Sequence, residues 1–334
     1  MNRLCRAVVV LGVAMLSPSA FAQAAAQDKL TVMSGGAAIS FSPFYLVESL
    51  GYAKDEGLDY SVKTVFANSL NLVVAGEGDL SALGLAAALV PAREGKETSI
   101  VYTIGSGLAT GFMIGTSKIK SVTDCTRVST SQVGSATYSA TIAYKTMTNA
   151  TFNVLQLGDP AQIAPSVLSG GSDCALSALG MLQPGLDNGL HLVVDPRVPS
   201  TIPAGTIQDT LGTGLWGMKE NLQKKRSAMV KLMRALKRVE QYIKTTPTAE
   251  VAAQLVKHKD YQAYKPDVAL KQMEQEKLFW FPNGGYFPVS SWEPTLKYYK
   301  YGMPFIDAAN KIYSWEARVD MSYWTAANGQ PSRR

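Results

Sequence analysis

The sequence predicts an α/β protein of two units with similar plan, each a mostly parallel sheet covered by helices. Three observations carry that expectation. Strand-like runs near 29–33, 60–65, 79–85 and 98–104 alternate with helix-period segments near 43–55, 68–76 and 86–94. The alternation restarts after GFMIGTS (111–117), with RVSTS, TFNVLQL, CALSAL and HLVVD as the strand-like runs of a second round. Small uncharged loops, SGGAAISFSPF (34–44) and QVGSATY (132–138), lead from strands into helices in both rounds.

Taken in order, the chain begins with Arg3 and Arg6 ahead of the apolar run VVVLGVAMLS, and Ala20-Phe21-Ala22 closes it in a small-x-small pattern. That is the form of a cleaved export signal over residues 1–22, which predicts a periplasmic mature chain starting near Gln23. No later segment reaches about 18 uninterrupted apolar residues, so no membrane span is expected. Ser42 with Pro43 reads as an N-cap and first-turn proline, and a helix start behind so small a loop leaves unpaired amides able to hold a ligand. Asp159-Pro160 reads as a second such start.

The segment GFMIGTS is expected at a sheet edge. LWGMKEN after Gly214 predicts a short strand, and helices fill most of the remainder. Met229, Met233, Leu236 and Ile243 give residues 219–244 the apolar stripe of one long helix whose outer face is basic. The nine aromatics between Phe279 and Tyr301 read mainly as packing of C-terminal helices onto the first unit.

The formal charge of the whole chain is +6, and removing Arg3 and Arg6 leaves +4. The excess is mild, and in an exported chain no nucleic-acid partner is expected. Two cysteines, Cys125 and Cys174, remain beyond the signal, which leaves a disulfide or two buried thiols as the readings of the residues alone.

Five blocks stand in a consistent order: SFSPFYLVESLGYAKDEGLDYSV, LNLVVAGEGDLSALGL, RVSTSQVGSATYSATIAYKTM, LQLGDPAQIAPSVLSGGSDCALSALGMLQPGL and GLWGMKENLQKKRSAMVKLMRALKRVEQYIKTTP. In that order the chain resembles the periplasmic substrate-binding proteins of the sulfonate, taurine, nitrate and thiamine-precursor group of ABC transporters, over most of residues 29–250. The resemblance implies a type II periplasmic-binding-protein fold, two α/β lobes joined by two crossing segments with a ligand cleft between them. It places the crossings near 111–117 and 213–218, which gives lobe 1 as residues 23–113 and 215–334 and lobe 2 as 114–214. Under it Cys125 and Cys174 begin neighbouring strands of lobe 2, within disulfide reach. It also implies a small-molecule ligand, an ABC permease with its ATPase as partners, no cofactor and a monomeric chain.

In open α/β sheets the ligand sits beyond the carboxyl ends of the strands. Four loops qualify, 34–44, 84–89, 132–138 and 178–184, and none contains a charged residue. The expected ligand set is Ser40, Phe41, Ser42, Phe44, Gly84, Leu85, Gln132, Gly134, Ser135, Ala136, Thr137, Gln183 and Trp216. Ser40, Ser42, Ser135 and Thr137 are the candidate anion contacts at helix starts. Phe41, Phe44 and Tyr45 are candidates for an apolar wall, Trp216 for stacking, and Gln183 for a reach from lobe 2. An uncharged cleft disfavours amino-bearing ligands, which need a carboxylate partner once desolvated. The expectation is therefore a sulfonate or carboxylate, with a neutral pyrimidine-like heterocycle as the alternative.

Enzyme signals fail on inspection. YTIGSGLATG spaces its glycines G-x-G-x-x-x-G and is followed by an extended segment where a dinucleotide fold requires a helix. His191 and His258 make no two-His metal pair, and no G-x-S-x-G elbow occurs. The resembled group has a branch that makes the thiamine pyrimidine with a cysteine cluster, which this chain lacks. A receptor coupled to a sensor is the remaining alternative.

Overall fold

The computed structural model describes residues 28–65, 68–207 and 209–331, so the expected export signal lies outside the described residues. The first sheet is assembled from β1 (Asp28–Ser34), β2 (Leu58–Thr64), β3 (Leu80–Gly84) and β4 (Thr98–Ser106). Between these run α1 (Ser42–Ser49), α2 (Tyr52–Asp55), α3 (Ser69–Val74) and α4 (Leu89–Arg93). The chain then enters a second sheet through β5 (Phe112–Gly115), β6 (Arg127–Thr130), β7 (Asn153–Gln156), β8 (Cys174–Ser177) and β9 (His191–Val194). Its helices are α5 (Ala136–Met147), α6 (Ile163–Leu168) and α7 (Leu179–Asp187), after which β10 (Leu211–Met218) returns to the first sheet. The strand orders are β2-β1-β3-β10-β4 and β7-β6-β8-β5-β9.

In each sheet the strand that arrives from the other unit is the antiparallel one. β10 runs against β3 and β4, and β5 against β8 and β9, while β1 with β2 and β3, and β6 with β7 and β8, are parallel. GFMIGTS is therefore not at an edge. All four residues of β5 are buried, as an apolar run covered on both faces requires.

One expected helix start is corrected. The expected N-cap Ser42 is the first residue of α1: a 3-10 turn, Ile39–Phe41, precedes it, Phe41 occupies the cap, and the Ser42 hydroxyl is fully buried without a partner. The helix expected near 43–55, with its end at Gly51 or Gly57, breaks at Gly51, whose φ of +73° sits in the left-handed region that glycine enters without a Cβ penalty. Asp159 does cap as its sequence predicts, its carboxylate accepting from the Ala161 amide at 2.9 Å.

The basic segment is two helices, α8 (Lys219–Lys224) and α9 (Arg226–Thr245), with the break at Lys225. Met229, Met233, Leu236 and Ile243 are buried on α9 as their spacing predicts. Its cations are matched by carboxylates: Lys225 to Asp79 at 2.6 Å, Lys231 to Asp28 at 2.8 Å, Arg238 to Asp55 at 2.7 Å. The rest of the chain forms α10 (Thr248–Leu255), α11 (Pro266–Glu276), α12 (Trp292–Gly302), α13 (Trp315–Arg318) and α14 (Ser322–Asn328).

These C-terminal helices do not pack on the first unit alone. α14 lies on α9, but α12 lies on α5 and α11 on α7, so the segment spans both. Gly302 of α12 makes the α5 approach close, since a Cβ there would fall 2.6 Å from the Ser139 hydroxyl. Cys125 and Cys174 form a disulfide, with Cα atoms 6.0 Å apart, joining the approach to β6 with the start of β8.

Candidate ligand cavity

Between the two sheets lies a cavity of about 420 Å³ whose lining is predominantly apolar. Its floor is the set of strand ends that both units point toward one another. From the first unit come the 35–41 loop, the β3 end at Gly84, the start of β10 at Thr213, and Ala87 and Val90 behind them. The loop is pinned by Gly35 N–H donating to the Ala82 carbonyl at 3.1 Å and by the Tyr261 hydroxyl donating to the Ala38 carbonyl at 2.7 Å.

From the second unit come residues 131–137, 157–158 and 177–178, with Met181 on α7. Gly134 holds φ at +89°, which turns the chain into α5 with Ser135 as N-cap. The Ser135 hydroxyl donates to the Gln132 carbonyl at 2.7 Å and accepts from the Tyr138 amide at 3.1 Å. Its proton is thus committed, and the neighbouring Thr137 hydroxyl stands 3.1 Å away. The first-turn amides of Ala136 and Thr137 have no acceptor within the helix, and they carry the positive end of its dipole. What this turn offers an anion is therefore backbone N–H groups and Thr137, with Ser135 as their support.

Of the expected ligand set, Ser40, Phe41, Gly84, Gln132, Gly134, Ser135, Ala136 and Thr137 line the cavity together. Five do not. Ser42 and Phe44 are buried in the body of α1, and Leu85 is buried in the core. Gln183 faces α11, its amide donating to Asp187 at 2.7 Å and accepting from Gln275 at 2.9 Å. Trp216 is fully buried in β10, opposite Ser81 of β3 and Ile100 of β4. The physical reason is strand direction: β10 is antiparallel, so its beginning at Thr213 reaches the cleft and Trp216 lies deeper. Tyr45 is also core, its hydroxyl bonded to Gly36 and Thr64.

The structure adds walls that no loop motif announced. Trp280 is delivered by a bridge to Gly105 of β4 and by the Phe281 amide donating to the Ile104 carbonyl at 2.6 Å. Phe281 there adopts φ +54°, uncommon for a bulky residue. Met303 and Phe305, just beyond α12, complete the aromatic and apolar side. Only the cluster of aromatics around 280 hinted at this, and it carried no address.

Among the described residues, two charges reach the lining, which corrects the expectation of an uncharged cleft. Arg93, at the end of α4, is exposed and stacks its guanidinium 5.0 Å from the Phe305 ring centre. Glu276, the last residue of α11, is 3% exposed. One carboxyl oxygen accepts from the Gly180 amide at 3.2 Å, at the start of α7, and burial pushes the group up to about 7. Among the described residues, no group of three or more His, Cys, Asp or Glu side chains is placed to hold a metal ion.

The two units touch across this cavity. A Cβ on Gly84 would stand 3.1 Å from the Ala136 amide nitrogen, and one on Gly134 would stand 3.8 Å from Val90. The start of α5 is thereby clamped against the end of β3.

No protein-family model matches the chain, and no curated protein matches its sequence. Solved structures share its fold, which is the periplasmic-binding-protein fold. A protein from Bordetella bronchiseptica RB50 superposes with a TM-score of 0.73 at 19% identity, covering 90% of this chain and 97% of that one. The periplasmic nitrate-binding protein NrtA of Synechocystis PCC 6803 gives 0.71 at 10% identity, with 90% and 88% covered. The periplasmic aliphatic sulphonate-binding protein SsuA of Escherichia coli gives 0.63 at 12%, with 92% and 94% covered. The solved proteins with this fold thus include members of the group that the sequence resembles.

Proposed function

We propose that the chain is the exported solute-binding receptor of an ABC importer, which captures a small organic anion between its lobes and delivers it to a permease. The observation that carries this reading is the inter-lobe cavity itself: largely apolar, about 420 Å³, with the unpaired first-turn amides of α5 on its wall. A sulfonate or carboxylate seated there takes N–H donors from Ala136 and Thr137, while Phe41, Trp280 and Met181 receive the apolar body. The ligand then touches both lobes and stabilises the arrangement in which they meet at Gly84 and Ala136. The shared fold with a sulphonate-binding and a nitrate-binding protein supports the same reading. Energy for transport comes from the partner ATPase, so the receptor itself catalyses nothing.

A neutral heterocycle is the second reading, favoured by the placement of Phe41, Trp280 and Phe305 around the cavity. A thermal-shift screen of residues 23–334, refolded to strip any carried ligand, distinguishes them. Saturating ligand at 100 times its dissociation constant adds about 2.7 kcal/mol, a rise of several degrees. Alkyl or aryl sulfonates and carboxylates are expected to produce it. A rise for pyrimidines with none for the anions replaces the first reading by the second.

A further inference from the structure

The four cleft loops are uncharged, yet the wall of the cavity contains a carboxyl group brought from far along the chain. Glu276 lies on α11, more than 90 residues after the last of those loops, and its placement depends on α11 lying along α7. Three contacts fix that pairing: Lys271 to Asp187 at 2.6 Å, Gln275 to Gln183 at 2.9 Å, and Glu276 to the Gly180 amide at 3.2 Å. The small Gly180 lets the carboxyl come close, since a Cβ there would sit 3.1 Å from its oxygen.

The surroundings of this carboxyl supply little charge. On α7 the ionisable residue is Asp187, which is occupied by Lys271. The 3-10 turn at 39–41 carries none, Lys277 donates to the Thr248 hydroxyl, and Tyr264 is a half-buried phenol. Asp267 and Glu274 on α11, and Glu250 on α10, face solvent. Burial is accordingly the dominant influence on Glu276, opposed by the Gly180 amide. A buried carboxyl in an apolar wall accepts a partner from the cavity side, because desolvation without one is costly.

We infer that Glu276 selects ligands carrying a cationic N–H donor, an ammonium or amidinium, on the end of the molecule away from the acidic group. This rests on the reading of the cavity as an organic-anion site. Once ionised, Glu276 repels an anionic group, which is then directed to the start of α5 or to Arg93. The apolar lining between them then favours a ligand with a hydrocarbon or aromatic body separating the two polar ends. The sequence expectation that amino-bearing ligands are disfavoured is reversed, since the carboxylate they require is present.

Calorimetric titration of matched pairs tests this: benzenesulfonate against 4-(aminomethyl)benzenesulfonate, and hexanoate against 6-aminohexanoate, at pH 6 and pH 8. With the native protein the ammonium-bearing member is expected to bind about tenfold tighter than its plain partner at pH 8. Its affinity should rise from pH 6 to pH 8, because the complex needs Glu276 ionised. The plain member should lose affinity over the same range, because an apolar group laid over Glu276 requires it protonated. Glu276→Gln is expected to erase the preference and both pH trends while still binding the plain anions. Equal affinities within each pair, or pH trends that survive in Glu276→Gln, overturn the assignment of Glu276 and leave the anion site standing. Silence from all four compounds overturns the anion site, and the assignment with it.

Discussion

At the scale of single residues, the same side-chain type divides sharply by where the backbone carries it. Trp216 and Trp280 are both poorly exposed, but only Trp280 touches the cavity, because β10 presents Thr213 and not Trp216 at the cleft edge. Trp216→Ala is expected to lower stability by roughly 3–5 kcal/mol through the void it leaves. Chemical denaturation measures that loss, and ligand affinity measured well below the new midpoint should match the native value. A large loss of affinity in the folded variant would return Trp216 to the site.

Glu276 makes a pH-dependent contribution whose sign follows from its raised value. The folded carboxyl titrates near 7 against an ordinary 4.5, so its stabilising effect is full below the unfolded value and lost as pH rises through the folded one. Glu276→Gln should therefore flatten the stability decline between about pH 5 and pH 8, a difference on the order of 2–3 kcal/mol across that window. Equal pH slopes for the two proteins in urea titrations would remove Glu276 from that role.

At the scale of elements, the long basic helix shows how a charge run acquires a bland purpose. Asp28, Asp55 and Asp79 come from β1, from α2 and from the turn before β3, and each meets a cation of the α8–α9 pair. The helix face that reads as basic in one dimension is thus partly neutralised in three. The disulfide works at the opposite end of the second sheet from the cavity: Cys174 starts β8 and Ser177 ends it at the lining. Closing a separation of 49 residues, the bond is worth roughly 2–4 kcal/mol, chiefly by restricting the unfolded chain. Cys125→Ser with Cys174→Ser is expected to lower the melting temperature by several degrees and leave ligand affinity unchanged. A change in affinity would mean that the bond also shapes the β8 end.

At the scale of the whole molecule, the two sheets meet through the α5 start on one side and are spanned by α11 and α12 on the other. Under the proposed receptor role, capture depends on a close fit at Gly84, where even a methyl group crowds the Ala136 amide. Gly84→Val is expected to hold the lobes apart and weaken ligand binding by at least tenfold with little loss of fold stability. Small-angle scattering should show a larger radius of gyration for the liganded variant than for the liganded native protein. A variant that binds normally would show that the contact at Gly84 is dispensable for closure.

What the sequence determined by itself is the local and the periodic: the strands, the restart of the α/β pattern in a second unit, the apolar stripe of α9, the Asp159 cap and the loop residues from Ser40 to Thr137 that line the cavity. Each of these depends on neighbours a few positions away, through spacing, capping or turn chemistry. The tertiary structure alone decided the antiparallel, interior placement of β5 and β10, the withdrawal of Trp216, Phe44 and Gln183 from the cleft, and the arrival of Trp280, Phe305, Arg93 and Glu276. Those outcomes turn on strand direction and on helix pairs formed between residues far apart in the chain, such as Glu276 with Gly180, separated by 96 positions. No local pattern encodes such a contact, because it is the packing of α11 on α7 that fixes where the carboxyl goes.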